Sequence, residues 1–320
     1  MKNKKTLFLT AAILFASTFA FAKNSKKTII CTIYPQYDWI MNIVGDKTDI
    51  FDISYLTQKG MDLHNYQPNI QDIAKLTECD LFVFVGGESD KWVQKAVSQA
   101  KNKSLKAFNM MEILGDKVRE EEIVEGMEHN HEGDEDEDEN EAEYDEHIWL
   151  SLKNAKIIVE KLCQQIAELD SANSKFYKSN AQSYIAKLDK LDKEYEQAVS
   201  SSKNKTILFG DRFPFRYLAD DYGINYFAAF VGCSADTEAS FETIAFLSKK
   251  VDELNLHTIL TIEKSDKKIA ETIKKNSKSK NQKILEMNSI QSVSAREIKN
   301  GTNYIELMEQ NLSVLKTALN

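Results

Sequence analysis

The feature that most constrains the fold is an alternation of short apolar, β-branched runs with amphipathic stretches. This alternation occurs twice, once from Thr28 to Met110 and again from Lys205 to Asn288. Between the two series, residues 171–202 contain neither proline nor glycine and predict one helix about 45 Å long, at ~1.5 Å per residue. Alternating strands and helices predict parallel sheets covered by helices. The sequence therefore predicts an α/β fold in which a long helix joins two lobes with parallel sheets.

The individual elements follow from the spacing of apolar residues. A Ser at position 89 precedes one amphipathic stretch and is a candidate N-cap for its helix. Within the 320 residues, the predicted division is a signal peptide, a first lobe, the linking helix and a second lobe. Their predicted bounds are 1–22, 23–170 (including an acidic loop at 120–146), 171–202 and 203–320.

The N-terminus has the pattern of a cleavable secretory signal. Lys2, Lys4 and Lys5 precede a short apolar run, which ends in the small-x-small sequence Ala20–Ala22. We therefore expect a mature protein that begins at residue 23 and is exported to the periplasm. No cysteine lies at the cleavage point, so we expect no lipid anchor.

Negative charge is concentrated in one segment rather than spread over the chain. The full sequence carries a formal charge of −9, and removal of the three signal lysines would make it −12. Residues 120–146 alone hold sixteen acids and no lysine or arginine, so the rest of the mature chain is about +4. Repulsion between this segment and phosphate argues against a nucleic acid partner.

The four cysteines are widely separated and form no CxxC pair. This spacing does not indicate a disulfide scaffold or a structural zinc site, and burial as small apolar side chains is an equally good interpretation. The sequence leaves the pairing of these residues open: Cys31, Cys79, Cys163 and Cys233.

Polar residues at the ends of predicted strands are the candidate ligands, because open α/β sheets bind ligands beyond the carboxyl ends of their strands. The candidates are His64, His147, Asp211, Glu263 and Asn288. Imidazole nitrogens and carboxylate oxygens together suit a first-row divalent metal such as zinc or manganese. Simpler roles stay open: surface histidines, a cap by Asp211, ion pairs of Glu263 with nearby lysines, and strand termination by Asn288.

The acidic segment predicts a second, weaker kind of metal binding. Like-charge repulsion and few apolar residues predict a solvated loop. His129 and His131 lie within it, and imidazoles among carboxylates can hold a cation weakly. We expect this arm, up to about residue 140, to collect metal beside the main site and to be dispensable for it. The end of the segment, "DEHIWL", is expected to belong to the folded lobe.

Several segments together resemble one family of proteins. "KGMDLHNYQPNIQDIAKL", "DEHIWLSLKNAKIIVEKL", "FGDRFPFRYLADDYG" and "CSADTEASFETIAFL" look like the solute-binding proteins of zinc ABC importers, the ZnuA-like branch of the cluster A-I family. The resemblance extends in order over nearly the whole mature chain. An acidic, histidine-bearing insert before the second segment is characteristic of the zinc branch.

The resemblance implies two Rossmann-like lobes, with zinc bound between them and delivered to a membrane permease and its ATPase. Family ligands carry over to His64 and His147. The third family position has "FGDRFPF" here, where Asp211 is the nearest candidate, and the fourth has "LEMNS", with Asn288 at the strand end and Glu286 before it. An amide is a weaker zinc donor than a carboxylate, so the site could recruit Glu263, a loop histidine or water.

Other functions remain open at this point. Manganese or another divalent metal could replace zinc in the same kind of protein. An exported metallohydrolase would also use two histidines and a carboxylate, but the sequence has no HExxH motif. A surface adhesin on the same fold would need an anchor. We expect a monomeric transport protein rather than an enzyme.

Overall fold

A computed structural model of the protein describes residues 26–127, 143–234 and 238–320. The predicted signal peptide and the predicted loop ligands His129 and His131 lie outside these residues.

The first sheet is parallel and has the order β2-β1-β3-β4. Its strands are β1 (Lys27–Cys31), β2 (Phe51–Tyr55), β3 (Leu81–Phe84), which is buried throughout, and β4 (Lys106–Asn109). The chain passes from β1 to β2 on one side and then crosses to β3 on the other. Such a reversal opens a crevice at the carboxyl ends of the strands.

The second sheet repeats this topology in the order β6-β5-β7-β8, again all parallel. Its strands are β5 (Thr206–Phe213), β6 (Asn225–Val231), β7 (Thr258–Ile262) and β8 (Lys283–Met287). The register between β5 and β6 shifts between Phe209 and Arg212, as in a β-bulge. A bulge changes which side chain faces a given side of the sheet.

Helices flank both sheets, as the strand and helix alternation predicts. In the described part of the chain they are α1 (Tyr34–Val44), α2 (Ile70–Glu78), α3 (Lys91–Ser98), α4 (Met110–Leu114), α5 (Leu152–Leu169), α6 (Ser174–Ser200), α7 (Arg216–Tyr222), α8 (Phe241–Glu253), α9 (Lys268–Asn276), α10 (Ala295–Lys299) and α11 (Tyr304–Ala318). The short helices α4 and α10 were not predicted. Ser89 is not an N-cap, since it lies in the 3-10 turn Glu88–Asp90, and Asp90 directly precedes α3.

The long helix α6 packs against elements from both halves of the chain. On the first half, Tyr184 donates a hydrogen bond to Asp38 of α1 (2.9 Å). On the second, Tyr195 donates to the backbone carbonyl of Met308 in α11 (2.6 Å). One hydrophobic cluster contains buried residues from both sheets and from α6. The predicted long connecting helix is therefore present, and it packs as a shared spine.

The two halves also meet away from α6, at the ends of their strands. The Trp149 indole donates a hydrogen bond to the Ser289 carbonyl (2.8 Å), and the Tyr55 hydroxyl donates to the Val293 carbonyl (3.1 Å). The predicted domain boundaries stay a prediction. Within the residues described, no helix is both long and apolar enough to span a bilayer.

Candidate metal centre

Two histidines face each other where the two halves of the molecule meet. His64 lies in the 3-10 turn Leu63–Asn65 after β2, and the Asp62 side chain caps this turn by accepting from the His64 amide (3.0 Å). His147 directly precedes a second 3-10 turn, Ile148–Leu150, and is fully buried. The two Nε2 atoms are 3.0 Å apart. The structure therefore brings together the two histidines that the sequence predicts as ligands.

Each imidazole is oriented through its other nitrogen. His64 Nδ1 lies 3.0 Å from Ser89 Oγ and 3.3 Å from Glu146 Oε2, and His147 Nδ1 lies 3.0 Å from Asp145 Oδ1. Because a carboxylate can only accept, these contacts assign the proton to Nδ1 in both rings. Both Nε2 atoms then present lone pairs to each other.

Two facing lone pairs at this distance require a cation or a proton between them. Zinc binds imidazole nitrogen at about 2.0–2.1 Å, so two ligands of a tetrahedral ion lie about 3.3 Å apart. The observed separation of 3.0 Å is close to that value. Carboxylates on the Nδ1 atoms are the usual second layer of such sites, since they fix the ring and raise its basicity.

Glu146 links the first histidine to the turn before α3. Its Oε1 accepts from the Ser89 amide (2.7 Å), and its Oε2 accepts from the Ser89 hydroxyl (2.5 Å). Burial alone would raise the pKa of the Glu146 carboxyl, but the contacts with His64 and Ser89 together lower it. Gly87, at φ +76°, makes this approach possible, because a Cβ there would lie 2.4 Å from Glu146 Oε1.

A cysteine from the second half completes a group of three potential ligand atoms. Cys233 follows β6, and its Sγ and one nitrogen of each of His64 and His147 all lie within 4.8 Å of one another. The thiol is free, and its backbone amide donates to Glu121 Oε1 (3.2 Å). Burial, reinforced by the negative charges of Asp145 and Glu121, raises the pKa of this thiol in the metal-free protein.

The residue before this cysteine allows the close packing. A Cβ at Gly232 would lie 2.8 Å from the Phe213 carbonyl and 3.1 Å from His147 Cε1 and Nδ1. Only glycine lets β6 end against the imidazole without displacing it. The other three cysteines, Cys31, Cys79 and Cys163, are buried and unpaired, which agrees with the interpretation of small apolar side chains.

The three second-lobe candidates are occupied by other hydrogen bonds. Asp211 accepts from the backbone amides of Arg212 (2.9 Å) and Ile262 (3.4 Å). Burial raises the pKa of its carboxyl. Its role as a ligand stays a prediction that these contacts do not support.

Glu263 and Asn288 hold the loop that follows β8. Both oxygens of Glu263 accept from Ser289, from its hydroxyl at 2.6 Å and its amide at 2.7 Å. Asn288 Oδ1 accepts from the Ile290 amide (2.7 Å). Of the simpler roles left open, an ion pair of Glu263 with a nearby lysine is not what its contacts show, whereas Asn288 directly follows its strand.

Arg212 rather than Asp211 extends toward the first half of the chain. The guanidinium forms an ion pair with Asp62, and its Nη1 donates to the Ser234 carbonyl (3.4 Å). Asp62 also accepts from Gln291 Nε2 (3.0 Å). The bulge in β5 explains why Arg212 rather than Asp211 extends in this direction, because it shifts the alternation of side chains just before Arg212. The turn that carries His64 is thus tied to the second sheet.

The base of the acidic segment is folded. Glu120 pairs with Tyr144 in an antiparallel bridge, so the two ends of the segment lie side by side. Beyond this bridge, Glu122 pairs with Arg216 (3.0 Å) and Glu125 with Lys250 (3.5 Å), both in the second half. Residues 120–127 form a largely exposed connection, with the Glu125 side chain 72% exposed, so the solvated arm stays a prediction; the ion pairs with the second lobe are what the sequence does not indicate. Acidic side chains here are neutralised by basic ones of the second lobe.

Four contributors to the site were missed at the level of sequence: Ser89, Asp145, Glu146 and Cys233. Cys233 could have been found, because a Gly-Cys pair directly follows a predicted strand, at the position where ligands gather. The two acids immediately before His147 lie in "DEHIWL", which the sequence assigns to the folded lobe, and each is 1% exposed; their contacts with the imidazoles are what the sequence does not indicate.

Comparison with known proteins gives a consistent result. The family described as zinc-uptake complex component A, periplasmic (ZnuA), matches residues 29–318. The high-affinity zinc uptake system protein ZnuA of Bacillus subtilis is 32% identical over 299 residues, which cover 93% of this chain and 89% of that protein. The zinc-binding lipoprotein AdcA of Streptococcus pneumoniae is 30% identical over 312 residues, covering 96% of this chain.

A solved structure of one of these relatives has a similar fold. The crystal structure of the Zn(II)-bound ZnuA-like domain of Streptococcus pneumoniae AdcA superposes with a TM-score of 0.71 at 28% identity, covering 92% of this chain and 99% of that domain. The chain spans about three fifths of the length of the AdcA relatives, 61% and 59%. The matched region includes both sheets, the spine helix and the two histidines. The chain belongs to the ZnuA family of zinc-uptake proteins.

Proposed function

We propose that the protein captures zinc between its two lobes and delivers it to the membrane permease of an ABC importer. The observation that carries this proposal is the pair of Nε2 atoms 3.0 Å apart, each ring held through Nδ1 by a buried carboxylate. Family membership supports the same cargo and the same partners, a permease and its ATPase.

Zinc fits the two histidines better than manganese does. Imidazole nitrogen suits zinc, whereas manganese prefers carboxylate, carbonyl and water oxygens. The carboxylates nearest the rings, Asp145 and Glu146, contact Nδ1 atoms and serve to orient them. Of two further first-lobe acids near the site, Asp62 is paired with Arg212 and Glu121 accepts from the Cys233 amide (3.2 Å). Manganese therefore remains the second candidate, with fewer oxygen donors in place.

The protein would act as a monomeric carrier, without making or breaking a bond in its cargo. Specificity would come from donor type and geometry, and release from docking that separates the lobes. Export is supported by the periplasmic description of the family. The expectation of no lipid anchor is not borne out by the relatives, of which several are lipoproteins.

Metal titration of single-site variants tests the proposal. Mature protein, His64→Ala, His147→Ala and the control His257→Ala would compete with a chromophoric chelator for zinc. We expect each site variant to bind zinc at least about 100-fold more weakly. Replacement of residues that only orient the ligands already lowers metal affinity about 10–100-fold. His257 is exposed and directly precedes β7, so its replacement should leave the zinc affinity unchanged. Wild-type affinity in both site variants would reject this zinc site.

A further inference from the structure

We propose that Cys233 supplies a thiolate ligand from the second lobe, so that the metal is held by two imidazoles and one sulfur. This inference rests on the proposed function and deepens it, because it names the group that joins the second lobe to the metal.

The geometry of the three donors supports this role. All three donor atoms fall within 4.8 Å of one another, and the ligands of one tetrahedral zinc lie within such a distance. Cys233 is brought there by the end of β6, where Gly232 packs against the His147 ring. Coordination of one zinc by all three would place the sulfur about 2.3 Å from the ion.

The second-lobe residues predicted as ligands are engaged in other hydrogen bonds. Asp211, Glu263 and Asn288 each accept backbone hydrogen bonds within their own lobe. Arg212 extends toward the cleft but offers no lone pair. Among the residues that the structure describes, Cys233 is the second-lobe member of the converging group.

The metal would supply the positive charge that a thiolate needs here, since a coordinating thiol is deprotonated outright. Asp145 and Glu121 are negatively charged neighbours of this cysteine. Arg212 brings a positive charge to the next residue, because its Nη1 donates to the Ser234 carbonyl (3.4 Å).

A thiolate would set the metal preference. Sulfur ligands select zinc and other soft ions, and they disfavour manganese, which prefers oxygen. The proposed donor set therefore predicts tight binding of zinc and cadmium and weak binding of manganese. Three protein ligands also leave a fourth tetrahedral position for water.

Cobalt substitution and zinc titration test this inference on the mature protein. Co²⁺ bound to a thiolate shows an intense near-ultraviolet sulfur-to-metal band. We expect that band in the wild type and in Cys163→Ser, a control at a buried thiol outside the site, but not in Cys233→Ser. Zinc affinity should fall at least about 100-fold in Cys233→Ser and recover in Cys233→His, which restores a donor without sulfur.

The outcomes separate this inference from the proposed function. Tight zinc binding by the wild type with no sulfur band, and with Cys233→Ser unchanged, would overturn the thiolate and leave the zinc carrier standing. Absence of tight zinc binding in the wild type would reject both. If Cys233→Ser does not fold, the wild-type spectrum together with Cys233→His still decides, because loss of the band without loss of affinity supports the sulfur ligand.

Discussion

Replacement of Glu146 by Gln should weaken zinc binding although Glu146 never touches the metal. Its two oxygens face three donors: the Ser89 amide (2.7 Å), the Ser89 hydroxyl (2.5 Å) and His64 Nδ1 (3.3 Å). A glutamine has one oxygen and one NH₂ group. In either orientation, the NH₂ group therefore meets a donor and leaves it without an acceptor.

The expected loss follows from this lost contact. Without a carboxylate on Nδ1, the His64 ring is less firmly oriented and its Nε2 is a weaker base. Second-layer changes of this kind cost about 10–100-fold in metal affinity, or about 1.4–2.7 kcal/mol. Because the contact is buried, with the Glu146 side chain 2% exposed, the loss should persist at high salt.

The assay is competition with a chromophoric chelator, repeated at two salt concentrations. Glu168→Gln is the matched control, since Glu168 pairs with Lys106 at the surface and its side chain is 57% exposed. Circular dichroism of the metal-free proteins establishes that both variants are folded. Wild-type zinc affinity in a folded Glu146→Gln variant would refute the argument that this carboxylate tunes the ligand.

Three further predictions concern packing, pH and the acidic segment. Gly232→Ala should lower zinc affinity with the fold retained, because its Cβ would lie 3.1 Å from the His147 ring; a zinc titration showing no change would contradict this. Burial raises the pKa of Asp90 to about 7 in the folded state, so the folded protein keeps a proton that the unfolded chain releases. Stability of the metal-free protein should then fall between about pH 4 and pH 7, by on the order of 4 kcal/mol, and level off above that range. Denaturant unfolding of wild type and Asp90→Asn across this range checks it, and equal pH dependence in the two would contradict it. Deletion of 128–142 should reduce the number of zinc ions bound, as measured by elemental analysis, and leave the tightest one; loss of the tightest site would contradict the account.

The fold could be read from the sequence because its signals are local. Buried apolar runs such as Leu81–Phe84 and long amphipathic stretches such as Ser174–Ser200 each specify one kind of element. His64 and His147 could be predicted for a related reason, since both lie in connections that the topology brings to one crevice. Short helices such as α4 carry too few residues for a periodic signal.

The second-lobe side of the site could not be predicted in the same way. Asp211 is the candidate at the end of the predicted strand, but a bulge of one residue between Phe209 and Arg212 shifts the alternation, and Arg212 extends toward the first half of the chain instead. A bulge arises from pairing with a neighbouring strand, which no local pattern encodes. The contribution of Cys233 likewise depends on how closely β6 approaches His147.

The roles of two buried acids are also beyond local reasoning. Asp145 and Glu146 lie in "DEHIWL", which the sequence assigns to the folded lobe, but nothing local indicates that both are enclosed against histidines. Partners distant in sequence, Ser89 and His64, stabilise them there. The composition of the acidic segment is an average over all its residues, whereas burial differs from one residue to the next.

Anomalous diffraction at the zinc edge from crystals of zinc-loaded mature protein tests the central claim most directly. The account predicts one strong peak between His64 and His147, about 2.0–2.1 Å from both Nε2 atoms and about 2.3 Å from the sulfur of Cys233. A fully loaded crystal whose strongest peak lies away from both imidazoles would contradict it.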